Sequence, residues 1–134
     1  MTILIAEDDA DDRFLIQTAF EEKGFTDKLE FVENGIELMS HLNAAAEKNP
    51  PHIILLDLNM PKKDGREVLH ELKQHHLFKR IPIIIFTTTK NEKEIRNCYD
   101  LGANTYIIKP TGFDELLFIV EQIHFYWERA AAIQ

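Results

Sequence analysis

The chain has 134 residues, of which 45% are hydrophobic, and carries 15 Lys and Arg against 23 Asp and Glu. This length and apolar content fit one domain over residues 1–134 with a core of its own, and we expect no attached output domain. The formal charge of -8, with no segregated basic patch, argues against a nucleic-acid-binding surface.

Short apolar runs alternate with segments of helical periodicity, which is typical of a parallel sheet covered by helices on both faces. The predicted strands, in chain order, are Ile3–Ala6, Leu29–Val32, His52–Leu56, Ile83–Phe86 and Thr105–Ile108. The predicted helices are Asp9–Lys23, Gly35–Lys48, Arg66–His75, Glu92–Leu101 and Phe113 to about Ala131. Stop signals follow at Gly24, Asn49–Pro51 and Gly102. This alternation predicts an α/β domain made of five βα units.

The predicted compartment follows from what the sequence lacks. No apolar stretch approaches the ~20 residues that a helix needs to cross a bilayer, so we expect no membrane association. The chain opens directly on strand-like residues, without a secretion signal. Its one cysteine, Cys98, cannot form an internal disulfide, which fits a reducing cytoplasm.

Polar side chains follow four of the predicted strands. Glu7 and Asp8 follow the first strand and Asp57 follows the third, while Thr87 and Lys109 follow the fourth and fifth. Ligands of open parallel sheets bind beyond the carboxyl ends of the strands, where the strand order reverses. Carboxylates that converge there repel one another unless a cation neutralises them. The pattern therefore predicts a site for a hard, oxygen-liganded cation, with Mg²⁺ as the natural candidate.

The turn after the third strand is the most informative segment. Asp57 is followed by Asn59, Pro61, Asp64 and Gly65, which are ordinary turn formers and on their own are weak evidence for a site. Together with the strand-end residues they resemble the receiver domain of two-component response regulators, chemotaxis regulators among them. The resemblance covers nearly the whole chain and implies a flavodoxin-like, doubly wound parallel sheet with strand order 2-1-3-4-5.

The resemblance implies roles for the residues of this cluster. Asp57 is expected to be the phosphoacceptor, and Glu7, Asp8 and Asp57 are expected to bind Mg²⁺. Asn59 occupies the position whose backbone carbonyl completes the metal site. Lys109 is expected to pair with the phosphoryl group.

A switch is also implied by the resemblance. Thr87 corresponds to a hydroxyl that moves toward the phosphoryl group, and Tyr106 to an aromatic side chain that changes rotamer with it. The resemblance further implies a cis peptide bond between Lys109 and Pro110.

The implied function is a signalling switch rather than an enzyme, one that catalyses only its own Mg²⁺-dependent phosphorylation and dephosphorylation. A sensor histidine kinase would phosphorylate Asp57, and the modification would change protein–protein interactions. One alternative is a phosphorelay shuttle to a histidine phosphotransfer protein. Another is a phosphatase with an aspartyl intermediate, but that chemistry requires a second carboxylate two residues after the nucleophile, where this chain has Asn59.

The last helix carries more aromatic residues than a core face needs. One stripe at helical spacing is predicted to face the sheet: Phe113, Leu116, Leu117, Val120, Ile123 and Trp127. Phe118 and Phe125 fall on the opposite face, with Tyr126 nearby, and predict a homodimer or partner interface on the surface of the fourth helix, fifth strand and fifth helix. Aromatic-rich ends of this kind, and a first helix of this kind, are similar to small stand-alone regulators associated with bacterial phytochromes.

Other polar residues have structural interpretations. Asp9, Asp11 and Asp12 are interpreted as cap and dipole residues of the first helix, and Thr89 as the N-cap of the fourth. The six histidines lack the spacing of a zinc hydrolase and are predicted to be solvated surface residues.

Overall fold

The computed structural model describes residues 1–45 and 48–130. Its strands are β1 (Thr2–Ala6), β2 (Lys28–Val32), β3 (Ile53–Leu56), β4 (Ile83–Thr87) and β5 (Thr105–Ile108). They form one parallel sheet in the order β2-β1-β3-β4-β5. The predicted flavodoxin-like α/β class and strand order are confirmed.

The helices alternate with the strands as predicted. They are α1 (Ala10–Glu22), α2 (Gly35–Ala45), α3 (Gly65–Gln74), α4 (Glu92–Asp100) and α5 (Phe113–Phe125), and a π-helical turn over Tyr126–Ala130 follows α5. The second helix is described as far as Ala45, and Lys48, its predicted end, lies in a turn. The predicted end of the last helix at about Ala131 lies outside the described residues. No helix in the described ranges is long and apolar enough to span a bilayer.

Alternation along the strands divides the core into two layers. In β1, Ile3 and Ile5 join the layer beneath α1 and α5, whereas Leu4 joins the layer that contains the buried side chains of α2 and α3. Successive strand residues point to opposite faces, so a strand with a helix layer on each side is apolar along its whole length. The four residues of β3 are all buried for this reason.

Local sequence signals set several helix ends. Asp9 caps α1, and its carboxylate accepts a hydrogen bond from the backbone N–H of Asp12 at 3.0 Å. Asp64 forms a capping box with Glu67 at the start of α3. The predicted cap at Thr89 is wrong, because α4 begins only at Glu92 and Asn91 caps it.

The predicted division of the last helix is confirmed. Leu116, Val120 and Ile123 are buried, and Phe113, Leu117 and Trp127 pack against the same core layer. On the other side, Phe118 is 61% exposed, Phe125 37% and Tyr126 54%. The structure thus presents these aromatic side chains at the surface, as an interface would require.

The prediction of solvated side chains is wrong for three of the six histidines. His41 and His75 are half-buried, the first beside Glu30 and the second stacked on Phe78, and His124 departs furthest from the prediction. His52, His70 and His76 are exposed, but the side chain of His124 is only 13% exposed and its ring stacks on Phe25 at a centroid distance of 3.8 Å. Its Nδ1 lies 2.5 Å from Oδ2 of Asp27. The contact joins residues 97 positions apart, so neither helical nor strand periodicity could have predicted it.

Candidate functional site

The predicted site residues meet at the carboxyl edge of the sheet. Backbone hydrogen bonds extend the strand pairing by one residue past the ends of three strands and thereby fix where the site residues begin. These bonds run from Glu7 N to Val32 O (2.9 Å), from Asp57 N to Ala6 O (3.1 Å) and from Lys109 N to Thr87 O (2.8 Å). Strand pairing therefore determines the relative positions of the acids, the hydroxyl and the amine.

The ammonium of Lys109 is the centre of the cluster. Its Nζ lies 2.5 Å from Glu7 Oε1, 2.8 Å from Asp12 Oδ2 and 2.9 Å from Asp57 Oδ2. Burial by itself would lower the pKa of Lys109, but the hydrogen bonds to Asp12, Glu7 and Asp57 outweigh it and raise that pKa above its usual range. Lys109 is therefore a permanently charged donor in the site.

Glu7 is the most buried acid of the group, with 1% of its surface exposed. Burial raises its pKa from 4.5 to about 7; the hydrogen bond from Lys109 opposes the shift and the neighbouring Asp57 charge adds to it. A carboxyl group with this pKa is only partly ionised near neutrality. The single positive charge of Lys109 does not neutralise the several carboxylates around it. The remaining negative charge favours the binding of a cation.

A divalent cation fits the donor set. One carboxylate oxygen from each of Glu7, Asp8 and Asp57 lies within 4.8 Å of the others. Asp8 is exposed, whereas Glu7 and Asp57 are buried, so the group opens to solvent on one side. Carboxylate oxygens are the ligands that hard divalent ions prefer.

The loop after Asp57 depends on a close approach of backbone to backbone. A Cβ atom at Gly65 would lie 2.2 Å from the carbonyl oxygen of Asp57, so no side chain fits there. Gly65 N donates to Leu58 O at 2.9 Å, and Asn59 N donates to Asp57 Oδ1 at 3.2 Å. The start of α3 therefore holds this loop, which places the Asn59 backbone beside the Asp57 carboxylate.

Thr87 and Tyr106 lie on the neighbouring strands β4 and β5. Thr87 is completely buried, and its hydroxyl has no hydrogen-bond partner among the described residues. Tyr106 packs against the core, its hydroxyl donates to Thr89 O at 2.7 Å, and burial is the main cause that raises its pKa to about 12. The switch pair thus contains one hydroxyl without a partner among the described residues and one half-buried aromatic ring whose own hydroxyl is hydrogen-bonded to the Thr89 carbonyl.

Thr89 is a residue whose position the sequence did not indicate. Its hydroxyl accepts a hydrogen bond from Asn59 Nδ2 at 3.2 Å, while its carbonyl accepts the one from Tyr106. Both contacts join segments that are distant in sequence, so only the packed loops show that this threonine links the Asp57 turn to β5.

Asp12 has a contact that the sequence did not indicate. It lies in the first turn of α1, as predicted for a dipole residue, and its carboxylate also binds Lys109. A signal was present: Asp12 stands four, seven and eight positions before Ile16, Ala19 and Phe20, which form the buried stripe of α1. A carboxylate on a buried stripe requires a partner.

The predicted cis bond is wrong, since the Lys109–Pro110 peptide is trans in this structure. Trans is the favoured isomer of X–Pro bonds. In the trans geometry Lys109 still donates its backbone N–H to Thr87 O and still brings its ammonium to Asp57.

The chain is similar to known proteins over most of its length. Residues 3–121 match the family model of the response regulator receiver domain. The response regulator Rcp1 of Synechocystis is 38% identical over 128 residues, which cover 93% of this chain and 87% of Rcp1. The probable methanogenesis regulatory protein FilR2 of Methanothrix harundinacea is 36% identical over 127 residues, covering 93% of this chain and 82% of that protein.

Solved structures show the same likeness over the whole fold. The phosphorylated cyanobacterial phytochrome response regulator RcpA superposes with a TM-score of 0.89 at 39% identity, covering 98% of this chain and 96% of RcpA. The Mn²⁺-bound form of Rcp1 gives a TM-score of 0.87 at 35% identity, covering 99% of this chain and 98% of that one.

Proposed function

The chain belongs to the response regulator receiver domain family of two-component signalling, and from this premise we propose that Asp57 accepts a phosphoryl group from a sensor histidine kinase. The observation that carries the proposal is the position of the Asp57 carboxylate, buried at a strand end, 2.9 Å from the Lys109 ammonium. It also faces the carboxylates of Glu7 and Asp8. Such an arrangement combines a nucleophile with one compensating ammonium and with carboxylates that could hold a cation as a second positive charge.

In the proposed reaction a carboxylate oxygen of Asp57 forms a bond to phosphorus while the phosphorus–nitrogen bond of the donor phosphohistidine breaks. The electron pair leaves with the imidazole nitrogen, which is protonated from solvent. The product on Asp57 is an acyl phosphate. Lys109 donates a hydrogen bond to the phosphoryl oxygens, whose negative charge is the main obstacle to the transfer.

Mg²⁺ is the proposed cofactor. Glu7, Asp8 and Asp57 would hold it through their carboxylates, with the backbone carbonyl of Asn59 as a further ligand. When bound, the ion supplies positive charge beside the phosphoryl oxygens and orients them for transfer. The Mn²⁺-bound structure of Rcp1 supports this assignment, because Mn²⁺ and Mg²⁺ both suit carboxylate oxygens.

Thr87 and Tyr106 are proposed to transmit the modification. The buried Thr87 hydroxyl lacks a partner among the described residues, and a phosphoryl oxygen would offer it an acceptor. Its movement would change the space available to Tyr106 and hence the surface of α4, β5 and α5. Phosphorylation then biases a packing equilibrium rather than creating a new fold.

The proposed output is noncovalent binding through this surface, to a partner or to a second copy of the chain. Phe118, Phe125 and Tyr126 supply exposed aromatic area on α5 and the turn that follows it, and aromatic residues are enriched at interfaces. The phosphorelay shuttle stays an alternative with the same chemistry on Asp57. An aspartyl phosphatase is disfavoured by Asn59, since an amide cannot act as the general acid and base.

The proposal is tested by intact mass after incubation with acetyl phosphate and Mg²⁺. We expect one added phosphoryl group (~80 Da) that requires the divalent ion and is absent from Asp57→Asn. Excess chelator is the control for metal dependence. The variant Asp64→Asn, at a neighbouring acid, is the control for a nonspecific loss of charge. An unmodified native chain that remains folded would overturn the proposal, as would equal modification of Asp57→Asn.

A further inference from the structure

The Lys109 ammonium has three N–H donors and contacts three carboxylates. These carboxylates differ in the part that each would take in the proposed reaction. Glu7 and Asp57 belong to the proposed cation site, and Asp57 is also the proposed acceptor. Asp12 belongs to neither group and comes from the first turn of α1. It binds Lys109 Nζ at 2.8 Å, as closely as Asp57 does.

The structure holds Asp12 firmly from its own helix. Its backbone N–H donates to the capping carboxylate of Asp9 at 3.0 Å. The following residue, Arg13, donates from its guanidinium to Glu7 O at 2.8 Å, which ties the same turn to the end of β1. Asp12 therefore reaches Lys109 from a fixed point beside the site.

A fixed contact matters because lysine has a long, flexible stem whose ordering costs rotamer entropy. In the proposed reaction Glu7 and Asp57 would change their own partners when the cation binds and the phosphoryl group is transferred. Asp12 is the one carboxylate on Lys109 that does not take part in these exchanges, so its contact can persist through the reaction.

We propose that Asp12 is a positioning residue that holds the Lys109 ammonium where the phosphoryl group enters. The inference rests on the proposed function, and it assigns to Asp12 an action through Lys109 rather than a contact with the reacting atoms. Asp12 also adds negative charge near an anionic donor, which by itself would slow the reaction. The two effects have opposite signs and can be separated.

Asp11 provides the matched control. It lies one residue earlier in the same helical turn and is exposed, and its side chain makes no hydrogen bond or ion pair with any described residue. Asp11→Ala and Asp12→Ala remove the same charge from the same end of α1. Only Asp12→Ala also removes a partner of Lys109.

The experiment measures the rate of Asp57 phosphorylation by acetyl phosphate with Mg²⁺ for the native chain and the variants. We expect Asp12→Ala to slow phosphorylation by about threefold to tenfold, as the loss of one charge-assisted hydrogen bond allows, and Asp11→Ala to be no slower than native. Asp12→Glu, which retains the carboxylate, should recover most of the rate. Equal rates for Asp11→Ala and Asp12→Ala, or a faster Asp12→Ala, would overturn the inference.

A second readout does not depend on phosphorylation. Nitrogen-15 NMR of the lysine ammonium groups should show a slowly exchanging Lys109 signal in the native chain and in Asp11→Ala, and lose it in Asp12→Ala. An unchanged signal in Asp12→Ala overturns the inference. If Asp12→Ala does not fold, Asp12→Asn replaces it, with a smaller rate loss in the same direction expected. A native chain that takes no phosphoryl group contradicts the proposed function instead, and the NMR comparison still decides on Asp12.

Discussion

Lys109 Nζ lies 2.9 Å from the Asp57 carboxylate, although 52 residues separate the two in sequence. The Lys109 side chain is 10% exposed and that of Asp57 is 7% exposed, so solvent screens this pair much less than a surface ion pair. The nucleophile proposed for phosphorylation is therefore already beside a positive charge that can compensate its product.

The Lys109 contact predicts a large effect on phosphorylation. Lys109→Gln keeps a side chain of similar reach but removes the charge, and should slow phosphorylation by acetyl phosphate by roughly tenfold to a thousandfold, as expected for removing one electrostatic stabiliser. The matched control is Lys90→Gln at an exposed lysine. Time courses of intact mass measure both. Equal rates for the two variants would show that Lys109 contributes nothing to the transfer.

The raised pKa of Glu7 predicts a pH dependence of stability. In the folded chain this pKa is about 7 against an ordinary value of 4.5, so between these values the native state binds more protons than the unfolded state. The free energy of unfolding contributed by Glu7 therefore decreases as pH rises from about 4.5 to 7. Urea titrations at several pH values, with chelator present, measure the free energy of unfolding. Its decrease with rising pH should be smaller in Glu7→Gln than in the native chain. The prediction fails if the two chains have parallel pH profiles.

The unpaired Thr87 hydroxyl predicts that its removal stabilises the unphosphorylated chain. Thr87→Val keeps the shape, removes a buried polar group without a partner among the described residues, and should raise the free energy of unfolding by about 1 to 2 kcal/mol. Thr88→Val at the exposed neighbour is the control. Phosphorylation should persist in Thr87→Val while its effect on partner binding is lost. Reduced stability would mean that the hydroxyl has a partner.

Gly65 predicts a steric limit at the Asp57 loop. In Gly65→Ala the new methyl group meets the Asp57 backbone, with a carbonyl oxygen 2.2 Å away, so the loop must shift. We expect a loss of about 1 to 3 kcal/mol in stability and slower phosphorylation. Gly112→Ala is the comparison, since a Cβ there meets nothing within 4 Å. Equal stability of the two variants, measured by urea denaturation, contradicts the close approach.

The Asp27–His124 pair predicts a structural role away from the site. The Asp27 side chain is 2% exposed, and Asp27→Ala removes the buried carboxylate that pairs with both His124 and the N-terminal ammonium, so it should cost about 2 to 4 kcal/mol of stability. Asp100→Ala, at an exposed acid, should change it by less than about 0.5 kcal/mol. Thermal or chemical denaturation distinguishes them. If Asp27→Ala leaves the stability unchanged, the contact is not significant in solution.

The fold could be predicted because its signals are local. Apolar runs marked every strand, glycines marked the ends of α1 and α4, and the polar residues of the site stand where strands end. Since parallel pairing brings those ends together, Glu7, Asp57 and Lys109 could be placed from sequence.

Contacts between loops and helix faces could not be predicted in this way. Thr89 and His124 have partners far along the chain, and their neighbours in sequence suit a helix cap for Thr89 and a solvated side chain for His124 equally well. The buried stripe of α1 indicates that Asp12 needs a partner, but it does not identify Lys109. The isomer of the Lys109–Pro110 bond also depends on packing around it, which the dipeptide does not reveal.

The most direct test of the central claim is to locate the phosphoryl group. The phosphorylated chain is reduced with borohydride, which converts an aspartyl phosphate to homoserine, and the peptide containing residue 57 is sequenced by tandem mass spectrometry. We predict homoserine at position 57 only, in an amount that follows the Mg²⁺-dependent phosphorylation. An unmodified Asp57, with homoserine at another acid such as Asp8 or with the phosphoryl group found on a histidine, would contradict the account.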